Sequence, residues 1–425
     1  MDIAVLFGAF VILLAIGVPI SLALFGAGFC AFAACTSIPL LVTAQKIYGA
    51  VDSFTLAAIP FFLLAGAIMG SGGISKRMTD FANTLLGWLP GGLAVVTVFT
   101  CMLFGCLCGS PTATVAAIGA ILVPAMDDAG YDRKFTLVLI AAAGMLGTII
   151  PPSTMMITFS SATGASVGKL FMGGILPGVI LGTLMILFCI YYGIKHNVPR
   201  TEFSLKNLAV SFGHAIGALL MPIIILGGIY SGIFTPTESA AVACAYGLLV
   251  SLFVYREMKL EDLLEVFVNS SKTTGMVMFI VAAAGIFGLA MTRLNIASRT
   301  AAFIIQIASN KYVFLLLVNI LLLFVGCFLE ATAAMLILCP ILMPAVRAFG
   351  INPVHFGIIV VLNLCVGLIT PPLGTNLYVS AGLKGEKIET LLNKNLSVLL
   401  FICLVNLFLV TYVPGISLIL SSGMK

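Results

Sequence analysis

The chain has 425 residues, of which 61% are hydrophobic and 8% charged, with a net charge of +5 and a mean hydropathy of +1.23. A soluble domain carries about 25% charged residues, so the composition excludes a soluble enzyme and describes an all-α polytopic membrane protein with no extramembrane domain. The positive charge is scattered over short loops, with no basic patch interleaved with aromatics, which excludes a nucleic-acid surface.

Apolar runs recur from Ile3 to Ile419. At roughly 20 residues per crossing they leave room for about ten crossings plus re-entrant pieces. Asp2, with no basic residue ahead of the first run, argues against a cleavable secretory leader. The first run, 3–35, is interrupted at Gly17-Val18-Pro19 and reads as one kinked helix or two short ones. A polar patch follows with Gln45, Lys46 and Asp52. A helix is expected over 54–69, ending at Gly70-Ser71-Gly72-Gly73, and an amphipathic segment from Ser75 to Trp88.

The stretch 93–126 is interrupted at Cys108-Gly109-Ser110-Pro111-Thr112. Each half is too short to cross upright, the pattern of a hairpin that dips into the membrane and returns. A loop at 127–134 leads to a helix over 135–163 broken by Pro151-Pro152, and a further span covers 170–194. The polar loop 195–206 divides the chain into halves. Spans are expected at 215–230 and 239–255, with Glu238 capping the second after Pro236. The stretch 257–269 places Leu260, Leu263, Leu264 and Phe267 on one face opposite acids, as an interfacial amphipathic helix would. A span over 275–291 and a loop with Arg293 and Arg299 precede a second hairpin, 313–348, broken at Leu329-Glu330-Ala331-Thr332. A second helix, 354–383, is broken by Pro371-Pro372. The last span is 396–412.

These landmarks repeat. The offset that carries Pro151 to Pro371 also carries Pro124 to Pro344, Gly130 to Gly350, Gly147 to Gly367 and Thr112 to Thr332. A hairpin plus a broken helix therefore occurs twice, and an odd number of crossings between the copies makes them inverted repeats. The positive-inside rule puts the base of the first hairpin in the cytoplasm. Lys76, Arg77, Arg133, Lys134, Lys195 and Lys384 then lie inside, while Lys46, Lys169, Arg293, Arg299, Arg347 and Lys425 lie outside. That orientation also puts both chain termini outside.

Paired broken helices are the best sequence pointer to a transporter's ion and substrate site. Helix C-termini offer carbonyls to a hard cation such as sodium, and N-termini offer N–H groups to a carboxylate. The tips supply Gly105, Gly109, Ser110 and Thr112, and Gly326, Ala331 and Thr332. The breaks supply Gly147, Ser153 and Thr154, and Gly367, Thr370, Gly374, Thr375 and Asn376. Small residues also serve helix packing, the plainer reading for Ser160 and Ser380. Glu330, a carboxylate at membrane depth, either holds its tip by hydrogen bonds or meets sodium or a proton. Eleven scattered cysteines, with His196, His214 and His355 far from one another, leave no transition-metal site.

The runs Gly109-Ser110-Pro111-Thr112-Ala113-Thr114, Ile149-Ile150-Pro151-Pro152-Ser153, Leu170-Phe171-Met172-Gly173-Gly174-Ile175-Leu176-Pro177-Gly178, Gly350-Ile351-Asn352-Pro353 and Thr370-Pro371-Pro372-Leu373-Gly374 resemble the large membrane subunit of tripartite ATP-independent periplasmic (TRAP) transporters over essentially the whole chain. Pro111 departs from the pattern, which carries a further small polar residue there. The resemblance implies a bacterial inner-membrane subunit working with a small four-helix membrane subunit and a periplasmic substrate-binding protein. It implies sodium-driven import of an organic anion, sialic acid ahead of a C4-dicarboxylate, with no cofactor. It further implies an elevator, in which 89–168 and 311–384 form a transport domain. The segments 1–88 and 169–310 are then scaffold, and 385–425 the last transmembrane helix. One sodium site is implied at Gly105, Gly109, Ser110, Gly147, Ile150 and Ser153, and another at Gly326, Thr332, Gly367, Thr370 and Leu373. Substrate falls to Ser110, Thr112, Ser153, Thr154, Glu330, Gly374, Thr375 and Asn376. A stand-alone sodium–dicarboxylate symporter and an ion channel are the alternatives. The symporters carry Ser-Asn-Thr at their tips, which this chain lacks, and a channel gives no reason for two inverted hairpins.

Overall fold

A computed structural model describes residues 2–35, 39 and 41–423, all helix and connecting turns with no strand among them. Lys425 lies outside the described residues. The Gly17-Val18-Pro19 break yields two short helices, α1 (Asp2–Ala15) and α2 (Ile20–Cys35), packed on each other. The polar patch that follows is helical, α3 (Leu41–Val51), and not a loop. Gln45 and Lys46 lie on its exposed side, while Ala50 presses on a glycine of a later helix. Helices α4 (Ala58–Ser71) and α5 (Ile74–Leu86) meet at 68°, where Gly73 takes the left-handed φ of 74°.

The first hairpin is α6 (Gly92–Cys108) and α7 (Pro111–Asp128), and the first broken helix is α8 (Arg133–Ala143), α9 (Leu146–Ile149) and α10 (Thr154–Thr163). Then come α11 (Val167–His196), α12 (Leu205–Tyr230) and α13 (Pro236–Leu249), which a π-helical turn extends to Val254. Glu238 caps as expected. It accepts from the Thr235 amide at 2.8 Å while its own amide donates to Thr235 Oγ1 at 3.2 Å.

Two expectations fail next. The amphipathic stretch and the span after it are one helix, α14 (Leu260–Arg293), because no proline or glycine interrupts 260–274. Glu257 stays outside it and pairs with Arg77 at 2.6 Å. The loop expected around Arg299 is helix α15 (Ile296–Ile307), whose Ile296 and Ala301 are buried while Arg299 faces out.

The second hairpin is α16 (Lys311–Gly326) and α17 (Ala331–Ala348), and the second broken helix α18 (Pro353–Gly367) and α19 (Thr375–Gly382). A turn of helix, α20 (Ile388–Leu391), precedes α21 (Lys394–Tyr412). The chain does not end there as a spanning helix. It folds back as α22 (Gly415–Leu418) against α11 and α18, where Ser417 Oγ sits 2.7 Å from His355 Nδ1.

Among the described residues six helices are long and apolar enough to cross a membrane, or eight if each bent pair counts as one, short of the ten expected. Several apolar helices fall below that length. Helices α6, α16 and α18 have 17, 16 and 15 residues. With a rise of about 1.5 Å per residue, none reaches across a hydrocarbon core about 30 Å thick.

The repeat is visible in the packing. The offset between the two double prolines also separates the first residues of α7 and α17, and those of α8 and α18. The far half of each broken helix packs on the other repeat: α10 on α17 and α18, and α19 on α7 and α8. Phe159 of α10 faces Phe356 of α18, ring centroids 6.2 Å apart. Asn376 of α19 donates from Nδ2 to the Ala141 carbonyl of α8 at 3.0 Å. The two repeats thus interlock through the segments beyond their breaks.

Candidate functional site

Each hairpin tip is built around a helix cap. Gly109 ends α6 in the left-handed conformation, φ 61°, which Gly adopts without a Cβ penalty. Ser110 then caps α7, with Pro111 in the first helical position. Pro111 therefore fits the turn as a helix starter. In the second hairpin Glu330, the repeat counterpart of Ser110, occupies the same N-cap. Its Oε2 accepts from the Ala333 amide at 3.0 Å and its Oε1 from Thr332 Oγ1 at 2.9 Å. Ser110 and Glu330 are thus equivalent caps with different side chains, and both carboxylate oxygens of Glu330 are engaged within the tip.

Each tip crosses a break at main-chain distance. A Cβ on Gly105 would lie 2.8 Å from Gly147 Cα, and one on Gly367 would lie 2.5 Å from the Gly326 oxygen. The Gly109 carbonyl accepts from the Thr154 amide at 3.2 Å and from Thr154 Oγ1 at 3.0 Å. In the second repeat the Cys327 carbonyl accepts from the Leu373 amide at 3.1 Å. Both Pro-Pro bonds, Pro151-Pro152 and Pro371-Pro372, are cis. Ile150 is extended between α9 and Pro151, and Ser153 caps α10 by accepting from the Met156 amide at 3.3 Å. The second break recovers one residue later, with Gly374 in the left-handed N-cap of α19, φ 44°.

Tip therefore meets break in two separate places: Gly105, Gly109 and Ser110 lie against Gly147 and Ser153 in the first, and Gly326 against Gly367 in the second. Gly105, Gly109, Ser110, Gly147, Ile150 and Ser153 are all buried. So are Gly326 and Gly367, while Thr332, Thr370 and Leu373 are half-buried. Thr370 Oγ1 is already spent on the Val366 carbonyl, 2.7 Å away in its own helix. The substrate candidates divide. Thr112 and Thr154 stay with the first tip, Thr112 Oγ1 lying 3.4 Å from Ser110 Oγ. Thr375 is the first residue of α19. Asn376 is fully buried and turned toward α8. Ser160 and Ser380 donate to nearby main-chain carbonyls, Ala165 and Leu377.

Two roomy cavities lie elsewhere. One of about 510 Å³ opens between α3 and α14 on one side and α10 and α17 on the other. A second, of about 540 Å³, shares Ser53 and Ser161 with it. None of the residues expected to hold substrate lines either cavity. Among the described residues no three His, Cys, Asp or Glu side chains group as a metal site.

Sequence reasoning also missed a buried polar chain behind the second break. Asn363 of α18 donates to Asn319 Oδ1 of α16 at 2.9 Å, and Asn319 donates to Thr411 Oγ1 of α21 at 3.1 Å. Asn319 and Asn363 were detectable as amides inside apolar runs, where a polar residue needs a partner.

Comparison with known proteins gives the family. Residues 7–416 match the family model "Tripartite ATP-independent periplasmic transporter, DctM component". The C4-dicarboxylate TRAP transporter large permease protein DctM of Pseudomonas aeruginosa is 45% identical over 89% of this chain and 88% of its own length. The isethionate TRAP transporter permease protein DctMQ of Oleidesulfovibrio alaskensis is 43% identical over 97% of this chain, which spans only 65% of that longer protein. In fold, the chain is similar to the crystal structure of the Alcanivorax borkumensis YdaH transporter, with a TM-score of 0.62 at 17% identity over 90% of this chain and 87% of that one. Both relatives are named as permease proteins, and neither is an enzyme. Duplicated hairpins crossing duplicated breaks, and a family match across nearly the whole length, lead to one conclusion: the chain belongs to the TRAP transporter family as its large permease, the DctM component.

Proposed function

We propose that this permease imports a small organic acid anion across the bacterial inner membrane, coupled to sodium. The observation that carries the proposal is the duplicated main-chain crossing, Gly105 on Gly147 and Gly326 on Gly367. Glycines at a crossing let carbonyl groups approach from two chain segments at once, and unwound carbonyls at broken helices are sodium ligands in transporter folds. Two such crossings support two sodium sites, at the residues named above. The α10 and α19 N-termini beside them suit the acid group of a substrate.

The interlocked repeats, 89–168 and 311–384, are read as the transport domain of an elevator. The segments 1–88 and 169–310 are read as its scaffold. A small four-helix membrane subunit and a periplasmic binding protein are the proposed partners. The motif wording leans to sialic acid, but the names of the two relatives above print isethionate and C4-dicarboxylates. A small carboxylate or sulfonate is therefore the substrate class put forward.

The test is uptake in proteoliposomes containing this chain, the small subunit and the binding protein. Accumulation should require an inward sodium gradient and both partners. Equal uptake of free substrate by the chain alone without sodium would sink the proposal.

A further inference from the structure

We infer that the cavity facing α3 is an anion-binding vestibule, with Lys46 as the receiving cation for the carboxylate or sulfonate of the substrate. This rests on the transport reading above and adds a site away from both tip crossings.

Among the described residues, Lys46 is the one charged side chain lining the 510 Å³ cavity, and the adjoining cavity has none in its lining. Asp52, close by in sequence, lines neither. Lys46 has no ion-pair partner among the described residues. The volume lies in the range of about 300–1,000 Å³ typical of small-molecule sites. The side-chain hydroxyls of Ser53 and Ser161, residues shared by both cavities, make no hydrogen bond among the described residues, so they are available to an oxyanion.

The packing explains why the cation sits at a cavity and not against a wall. Helix α3 is drawn close to α14 at Gly285, where a Cβ would lie 2.5 Å from Ala50 Cβ and 3.6 Å from the Lys46 carbonyl. One turn further on, a Cβ on Gly288 would meet nothing within 4 Å, and that space belongs to the cavity. Ser161 connects the vestibule to the first crossing. It lies two turns along α10 from Thr154, which bonds the first tip. Two turns of helix separate the two by about 10 Å. An acid held by Lys46 and the two serines therefore waits one short step from the tip.

The experiment uses the complete complex and three probes: succinate, isethionate and N-acetylneuraminate. The half-saturating concentration is measured for whichever the wild type accumulates. K46Q should raise it roughly tenfold, the order expected for losing one hydrogen bond to a charged group, with the maximal rate retained. K46R should stay near wild type, and K46E should be worse than K46Q. G288L, which fills the cavity without touching the charge, should also raise the half-saturating concentration, and it decides the matter if K46Q fails to insert. The affinity of the complex for substrate-free binding protein should not change.

An unchanged half-saturation in K46Q and G288L overturns the vestibule while leaving the transport reading intact. A parallel loss of binding-protein affinity in K46Q overturns it too, because Lys46 would then be a docking contact. A wild type that accumulates none of the three acids under a sodium gradient overturns both readings.

Discussion

Gly367 has no room for a side chain, because the Gly326 carbonyl oxygen occupies the place its Cβ would take. Overpacking a fixed site costs about 1–3 kcal/mol, and here the obstacle is backbone that cannot rotate away. Gly367→Ala is therefore expected to reduce uptake at least roughly tenfold. Gly382→Ala, at a helical glycine with nothing within 4 Å, should leave uptake unchanged or raise the melting temperature slightly. Glu330 offers a second test. As the α17 cap its oxygens accept from Ala333 N and Thr332 Oγ1. Glu330→Gln keeps an acceptor and Glu330→Ser copies Ser110 of the first repeat, so both should hold the apparent sodium affinity within about threefold, while Glu330→Ala loses about 1 kcal/mol of tip stability. A sodium affinity that collapses in Glu330→Gln would show that the charge, and not the cap, is needed.

The hairpins and breaks were the elements most legible in the sequence, because Gly and Pro mark chain reversals by their own geometry. Cys108-Gly109-Ser110-Pro111 ends one helix and starts the next with a left-handed glycine, a cap and a proline, each with a local cause. Helices α3 and α15 were illegible for the opposite reason. Lys46 and Arg299 break an apolar window, yet each projects from an ordinary helix whose partner is distant in sequence. The contact of Asn376 with Ala141, far apart in the chain, and the polar chain from Asn363 to Thr411 leave no local pattern. At this scale the interlock also makes a prediction. Asp127, at the end of the first hairpin, pairs with Arg133 at 3.3 Å and with Lys384, just beyond the second broken helix, at 3.1 Å. A short bifunctional thiol reagent joining cysteines at 127 and 384, on a cysteine-reduced background, should leave uptake intact if, as proposed, both belong to one transport domain. The same reagent joining 53 and 161 across the vestibule should stop uptake completely. Uptake that survives the second cross-link would refute relative motion of the two walls.

Over the whole molecule, the ion pairs and the cavity give the topology a test. The pairs Arg77–Glu257, Arg133–Asp127, Lys384–Asp127 and Arg133–Glu386 lie where the positive-inside rule puts the cytoplasm. Lys46 and Thr292 share the cavity expected to open outward. Impermeant thiol reagents should therefore modify Thr292→Cys in intact right-side-out vesicles. They should reach Lys76→Cys only after permeabilisation. The reverse pattern would invert the topology read from the loops.

The glycine crossings have a consequence for how such a permease diversifies. A contact between two main chains has no side chain for mutation to exchange, so drift at Gly105, Gly147, Gly326 or Gly367 has only losses to offer. The vestibule is walled by Lys46, Ser53, Ser161 and Thr292, each replaceable one codon at a time. Substitutions in those walls can then change which acid is accepted without touching the paired crossings.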